Sequence, residues 1–200
     1  MLIVGVSGGS GCGKTTLLQE LQKRFPSPQL SILSQDDYYL PVDRTADNHK
    51  INFDVPEALD LDALYNDVLE LKNGRSITKT EYTFNNADAD PSEIVTVPSQ
   101  ILIVEGLFVF HHQQIKSLFD HLIFIDAEED VRFKRRLKRD MSERGYSEES
   151  IRYKWDHQVE AGYLKYLLPY STQVDTTIDA NISIDNGLES VTALFTQELT

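Results

Sequence analysis

The chain has 200 residues, 40% of them hydrophobic and 26% charged, which fits a single globular core and excludes a disordered or fibrous protein. A formal net charge of −13 excludes a general binder of nucleic acid or membrane surfaces, because either needs a positive field facing the phosphates. No run approaches the ~18 consecutive apolar residues of a membrane helix, and a single cysteine, Cys12, cannot form an internal disulfide, so a cytoplasmic protein is expected.

The seven prolines and ten glycines are scattered, so one domain over residues 1–200 is expected. Leu2 to Val6 is apolar with no basic stretch before it, and reads as a buried strand rather than a secretion signal. Ser7-Gly8-Gly9-Ser10-Gly11-Cys12-Gly13 is too glycine-rich for strand or helix. A helix follows from Lys14 to about Arg24, with Leu17, Leu18 and Leu21 on one side. Leu30 to Leu33 reads as a second strand, with Gln35-Asp36-Asp37-Tyr38-Tyr39 directly after it. Leu59 to Leu71 is helical by its 3- and 4-residue spacing, stopped by Asn73-Gly74.

Ile77 to Phe84 and Ile94 to Val97 predict a hairpin around a polar turn at 85–90, set apart from the main sheet and spanning about 75–98. Ile101 to Val104 and Leu122 to Ile125 are compact apolar runs, as in strands buried on both faces. Helices are expected at about 111–119, 129–143 and 147–167. A last strand near Asn181 to Ile184 and a helix from about Leu188 to Glu198 follow. Alternating strands and helices specify a parallel α/β sheet. Ligands then bind beyond the C-terminal ends of the strands, where Gly8 to Thr15, Asp36 and Glu105 all fall.

Gly8-x-x-x-x-Gly13-Lys14-Thr15 between a strand and a helix matches a phosphate-binding loop. Its backbone N–H groups and the helix N-terminus would cradle phosphates, Lys14 would reach the β- and γ-phosphates, and the Thr15 hydroxyl would ligate Mg²⁺. Gly8, Gly9, Ser10, Gly11, Cys12, Gly13, Lys14, Thr15 and Thr16 are the candidate ATP-binding residues. Glu105 ends a buried strand, as a second magnesium-shell acid does, although a solvated loop acid has the same pattern. Asp36 is placed to orient or deprotonate an acceptor hydroxyl, while Asp37 reads better as a cap. Cys12 reads as a small loop filler, His111-His112 as surface, and Trp155, Tyr163, Tyr166 and Tyr170 as core.

From Asp130 to Arg144 positive charge is concentrated in an acidic protein. On a helix Arg132, Arg135, Arg136 and Arg139 share one face, roughly opposite Phe133, Leu137 and Met141. Two readings compete: a solvated face interlaced with carboxylates, or a lid over about 130–146 whose arginines neutralise a transferring phosphate.

Taken together these segments resemble the uridine kinase family, within the group that includes phosphoribulokinase and nicotinamide riboside kinase. The resemblance rests on Gly8 to Thr16, Ser34-Gln35-Asp36-Asp37-Tyr38-Tyr39, Asn52-Phe53-Asp54-Val55-Pro56-Glu57-Ala58, Val104-Glu105-Gly106 and Arg135 to Gly145. It implies a P-loop parallel sheet of five strands flanked by helices, a hairpin over the acceptor and a helical arginine lid. It implies Asp36 as the catalytic aspartate, with Lys14, Arg136 and Arg139 at the transferring phosphate. Thr15, Asp36 and Glu105 are implied at the metal, and Asp54, Tyr39, Tyr82 and Arg136 at the acceptor.

The chain departs from the family pattern at Val55 for a histidine, Thr83 for an aspartate, Ala87 for a base-contacting histidine, Tyr146 for an arginine and Lys154 near an expected glutamine. The implied activity is ATP- and Mg²⁺-dependent phosphorylation of a ribonucleoside 5′-hydroxyl, uridine or cytidine being the family's acceptors. Selectivity for the base is expected to be relaxed or shifted, since an apolar or aromatic pocket discriminates by only ~1–3 kcal/mol. Nicotinamide riboside or another small metabolite is the alternative acceptor, and a regulatory nucleotide-binding module without transfer is the alternative of another class. The expected partner is a small nucleoside-like molecule, with self-association left open.

Overall fold

In the computed structural model, which describes residues 1–41, 51–83 and 90–200, strand residues alternate between two cores because the sheet is covered on both faces. Along the chain lie β1 (Leu2–Gly8), α1 (Lys14–Arg24), β2 (Leu30–Ser34), α2 (Leu61–Lys72), β3 (Ile77–Thr80), β4 (Glu93–Thr96) and β5 (Ile101–Gly106). They are followed by α3 (Gln113–Lys116), β6 (His121–Asp126), α4 (Glu129–Glu143), α5 (Glu148–Lys154), α6 (Glu160–Gly162), β7 (Thr176–Asp179) and α7 (Asp185–Glu198). Val4, Val6, Ile101 and Ile103 meet Leu17 and Leu21 of α1 and Val191 and Phe195 of α7 on one face. On the other, Ile3, Leu102 and Val104 meet Leu64, Val68 and Leu71 of α2, together with Tyr163 and Leu167.

The five-stranded sheet has the order β2-β5-β1-β6-β7, and every pair in it is parallel. Register decides what emerges at its C-terminal edge. Glu105 lies opposite Ser34 on one side and Val6 on the other, so the acid, the end of β2 and the glycine loop after β1 leave the sheet at one level. β3 and β4 form a separate antiparallel pair. Its strands are shorter than the sequence predicts, and most of the turn expected at 85–90 lies outside the described residues.

Two elements differ from expectation. The last strand is Thr176–Asp179, not Asn181 to Ile184. Both segments have β-branched residues, but Ile178 is the one buried in the core while Ile182 is 97% exposed, and the Asn181 side chain instead accepts a hydrogen bond from the Glu128 amide. The helix expected at 111–119 is the single turn α3, capped by His112, whose Nδ1 accepts from the Ile115 amide. The long helix expected at 147–167 is present, with π-turns at Trp155–Val159 and Tyr163–Leu167. No helix among the described residues is long and apolar enough to cross a membrane.

Candidate active site

The glycine loop is shaped by α4 beneath it. Gly11 has φ +81°, and a Cβ there would collide with the carbonyl oxygen of Arg132, so a side chain is excluded both by conformation and by space. Cys12 is fully buried under the loop. The helix α1 begins at Lys14 without a side-chain cap, which leaves its first amides free to face an anion. The Lys14 ammonium is held at the mouth of the loop by the carbonyl of Gly8, 2.7 Å away. Gly8 and Gly9 serve the loop from behind: Gly9 packs against Arg132 and Tyr163.

Two acids converge on Lys14. Ser34 Oγ donates to Glu105 Oε1 at 2.7 Å and accepts from the Asp36 amide at 3.3 Å, tying the ends of β2 and β5 together. Behind them Gln35 is buried, and its Oε1 accepts from the Phe108 amide at 2.8 Å. Burial, followed by the charge of Asp36, pushes Glu105 up to about 7. Asp36 is also raised, by burial first and against the attraction of Lys14. Two desolvated carboxylates facing one lysine leave negative charge to be neutralised. No cluster of three or more His, Cys, Asp or Glu suited to a metal occurs among the described residues. Two carboxylates and the Thr15 hydroxyl at a phosphate loop nevertheless suit Mg²⁺, which keeps waters and takes phosphate oxygens rather than an all-protein cage.

The arginine helix turns its charged face inward. Its two fully buried positions are Arg132 and Asp140, while Met141 is 47% exposed. This excludes the solvated-face reading for these arginines. Arg132 pairs with Glu160 at 3.0 Å and lies 3.9 Å from the centre of the Tyr163 ring. Arg135 donates to the carbonyls of Cys12 and Ala180. Arg136 donates to Ser10 Oγ at 3.1 Å, and its guanidinium lies 3.7 Å from Asp54 and 3.1 Å from Asp140. Asp140 also holds Arg139 at 2.8 Å and Arg144 at 3.4 Å. One buried carboxylate thus gathers three guanidinium groups beside the loop.

Beyond Arg136 the site becomes aromatic. Asp54 is buried, and burial raises its proton affinity against the pull of Arg136 and Lys154. The Tyr39 hydroxyl donates to the Phe53 carbonyl at 3.2 Å. The Tyr39 ring lies 5.4 Å from Phe53 and 5.0 Å from Tyr82. Tyr82, two residues past β3, is fixed by its amide donating to Asp37 Oδ1 at 3.1 Å; Asp37 is thus a tie to the segment after β3 rather than the cap expected of it, and the cap is Ser34. Tyr38 is core, its hydroxyl donating to Asp67 at 2.7 Å.

A single cavity of about 590 Å³ joins these parts. Ser10 to Thr16, Asp36, Tyr39, Asp54, Tyr82, Glu105, Arg136 and Arg139 all line it, together with Phe53, Asp140, Arg144, Tyr146 and Lys154. The phosphate end and the aromatic end are continuous, as transfer between two bound molecules requires.

The model of the phosphoribulokinase / uridine kinase family matches residues 3–184. The chain belongs to that family. It is 37% identical over 187 residues to a uridine kinase of Borrelia duttonii, covering 93% of this chain and 90% of that one. To a uridine kinase of Brevibacillus brevis it is 32% identical, over 88% and 84% of the two chains. Among solved structures, the phosphoribulokinase of Rhodobacter spheroides superposes with a TM-score of 0.64 at 18% identity, over 89% and 69% of the two chains. Like these relatives the chain is a P-loop kinase, a phosphotransferase acting on a hydroxyl group.

The geometry gives three residues tasks that the sequence reading does not assign them. Asp140 appears in sequence only as part of a charged run, and the signal is one acid between Arg136, Arg139 and Arg144. Arg132 reads in sequence only as a member of the arginine face, solvated or lid, and its burial against Glu160 is not legible there because that partner is 28 residues away. Gly162 has no sequence signal: a Cβ there would collide with the Asp54 carbonyl oxygen, and this is visible only once the long helix is seated against the Asp54 segment.

Proposed function

We propose that this kinase transfers the γ-phosphate of ATP, with Mg²⁺, to the 5′-hydroxyl of a ribonucleoside. The observation that carries the reading is the continuity of the cavity, with the phosphate loop and the Asp36–Glu105 pair at one end and the buried Asp54 between Arg136 and aromatic walls at the other. Thr15, Asp36 and Glu105 would hold the ion, which would supply charge neutralisation at the phosphate oxygens.

In this reading Asp36 accepts the proton of the attacking hydroxyl from its place in the cavity beside Glu105 and Lys14, as a modest base because the adjacent Mg²⁺ would lower its proton affinity. Lys14, Arg136 and Arg139 spread the charge of the transferring group, which a loose transition state needs more than covalent help. Asp54 accepts hydrogen bonds from sugar hydroxyls, and Tyr39, Phe53 and Tyr82 stack on the base. The curated relatives named uridine kinase support a nucleoside acceptor.

Acceptor-dependent ADP formation over a nucleoside panel, with and without Mg²⁺, tests the proposal. Turnover above background with at least one ribonucleoside, abolished by chelator and by Lys14→Ala, is expected. ATP hydrolysis indifferent to every acceptor would sink it in favour of a nucleotide-binding module.

A further inference from the structure

The hydrogen-bond ladder of the main sheet stops where the site begins. β2 pairs with β5 as far as Ser34 opposite Glu105, and β1 as far as Ser7 opposite Gly106. Leu107 and Phe108 lie beyond the last paired residues, yet Phe108 is buried and Leu107 lines the cavity. Two buried side chains, Ser7 and Gln35, continue the ladder in place of strands. Ser7 Oγ donates to the Leu107 carbonyl at 2.8 Å, and Gln35 Oε1 accepts from the Phe108 amide at 2.8 Å.

The two ties differ in what they reach. Ser7 belongs to β1, whereas Gln35 opens the 3₁₀ turn Gln35–Tyr38, capped by Ser34, that carries Asp36. Gln35 also packs on Gly106, where a Cβ would collide with its Cβ and its Oε1. With Ser34 Oγ donating to Glu105, the turn that bears one acid grips the chain on both sides of the other. Gln35 is 1% exposed, and its Nε2 has no hydrogen-bond partner among the described residues. An unpaired buried donor costs stability, and a side chain that only filled the space would not carry that cost. What the position retains is an oxygen aimed at Phe108.

We infer that Gln35 is a positioning residue that sets the separation of Asp36 and Glu105, so that both carboxylates reach one divalent cation. Asp36 follows Gln35 directly, and Glu105 opens the stretch that Gln35 holds, so loosening the tie lets one acid move against the other. Mg²⁺ takes oxygens at about 2.0–2.1 Å in near-octahedral geometry, which leaves little tolerance in that separation. The inference rests on the reading of Thr15, Asp36 and Glu105 as the holders of the ion. It adds the residue behind two of them that orients them, as partners behind metal ligands do.

The test reads ADP binding by calorimetry, in Mg²⁺ and in EDTA, so that no turnover is involved. The parent should bind ADP more tightly with Mg²⁺. Gln35→Met fills the same space but offers the Phe108 amide no oxygen. It should lose about 10- to 100-fold of that gain, the range for removing a group that orients a metal ligand, with its affinity in EDTA near the parent's. Gly106→Ala attacks the same tie from the other side, its methyl entering the space of the Gln35 carbonyl, and should lose the gain as well. Phe195→Leu, in the core against Phe25 beyond the far end of α1, controls for lost stability and should keep it. A gain that survives intact in either folded site variant, or that falls equally in Phe195→Leu, overturns the role of Gln35 and leaves the Mg²⁺ reading standing. ADP binding indifferent to Mg²⁺ in the parent overturns both.

Discussion

Gly162 touches the main chain of Asp54: a Cβ at position 162 would collide with the Asp54 carbonyl oxygen and crowd the Asp54 Cβ. The long helix that follows α4 and the loop that carries the buried Asp54 are therefore in backbone contact. Gly162→Ala should push Asp54 away from Arg136, raising acceptor KM at least ~10-fold, since a small misplacement is enough, with little change in ATP KM. Overpacking should also cost about 1–3 kcal/mol of stability. Unchanged acceptor KM in the folded variant would show that Asp54 does not bind the acceptor.

Asp36→Asn separates a base from a metal-shell residue. Loss mainly in kcat, with ATP KM within a few-fold of the parent, is the outcome expected of a transition-state role. A loss confined to ATP or Mg²⁺ affinity would reassign Asp36 to the ion alone.

The Asp140 cluster makes a contrasting pair of variants. Asp140→Asn leaves three guanidinium groups without their buried counter-charge, and should lower stability by about 3–5 kcal/mol, the cost of breaking a buried pair from one side. Arg136→Ala keeps Asp140 paired with Arg139 and Arg144 but removes the guanidinium beside Asp54, so its effect should fall on kcat, up to the ~10³-fold lower end seen for arginine fingers, with a rise in acceptor KM and a smaller loss of stability than in Asp140→Asn. Urea denaturation and steady-state kinetics on both variants read the two effects. Kinetics of Arg136→Ala within error of the parent would remove that arginine from the transferring phosphate.

Stability of the metal-free protein should depend on pH through Glu105. Its folded pKa of about 7 lies above the ordinary 4.5, so between these values the folded chain holds a proton that the unfolded chain has lost. That contribution is fully present below about pH 4.5 and disappears as pH rises through about 7. The Tm of the protein minus that of Glu105→Gln should fall across this window. Mg²⁺ should raise Tm more at pH 8 than at pH 5, because it binds the ionised acids. A difference independent of pH would mean that Glu105 is ionised throughout.

Much of this site can be read in the sequence because its parts are local. Gly8 to Thr15 carry their own backbone requirements, and Asp36 and Glu105 are found by following apolar runs to their ends. The arginine face of α4 is also visible as a period, but not its direction. Which face of a helix is buried depends on what it meets, and here that is Glu160, Asp54 and the loop carbonyls of Cys12 and Ala180, all distant in sequence. The last strand is misplaced for a similar reason. Thr176–Asp179 offers Thr176, Thr177 and Ile178 and the stretch Asn181 to Ile184 offers Ile182 and Ile184, comparable strand formers, and only the parallel register with β6, Ile125 beside Ile178, chooses between them.

The inverted packing of α4 bears on any attempt to redesign the protein. Rules that trim long basic side chains from charged helices to improve solubility or crystallisation would select Arg132, Arg135, Arg136 and Arg139 first. Those side chains are the mortar of the wall behind the glycine loop, while Met141, which the same rules would protect as interior, is exposed and open to change along with Lys134 and Lys138.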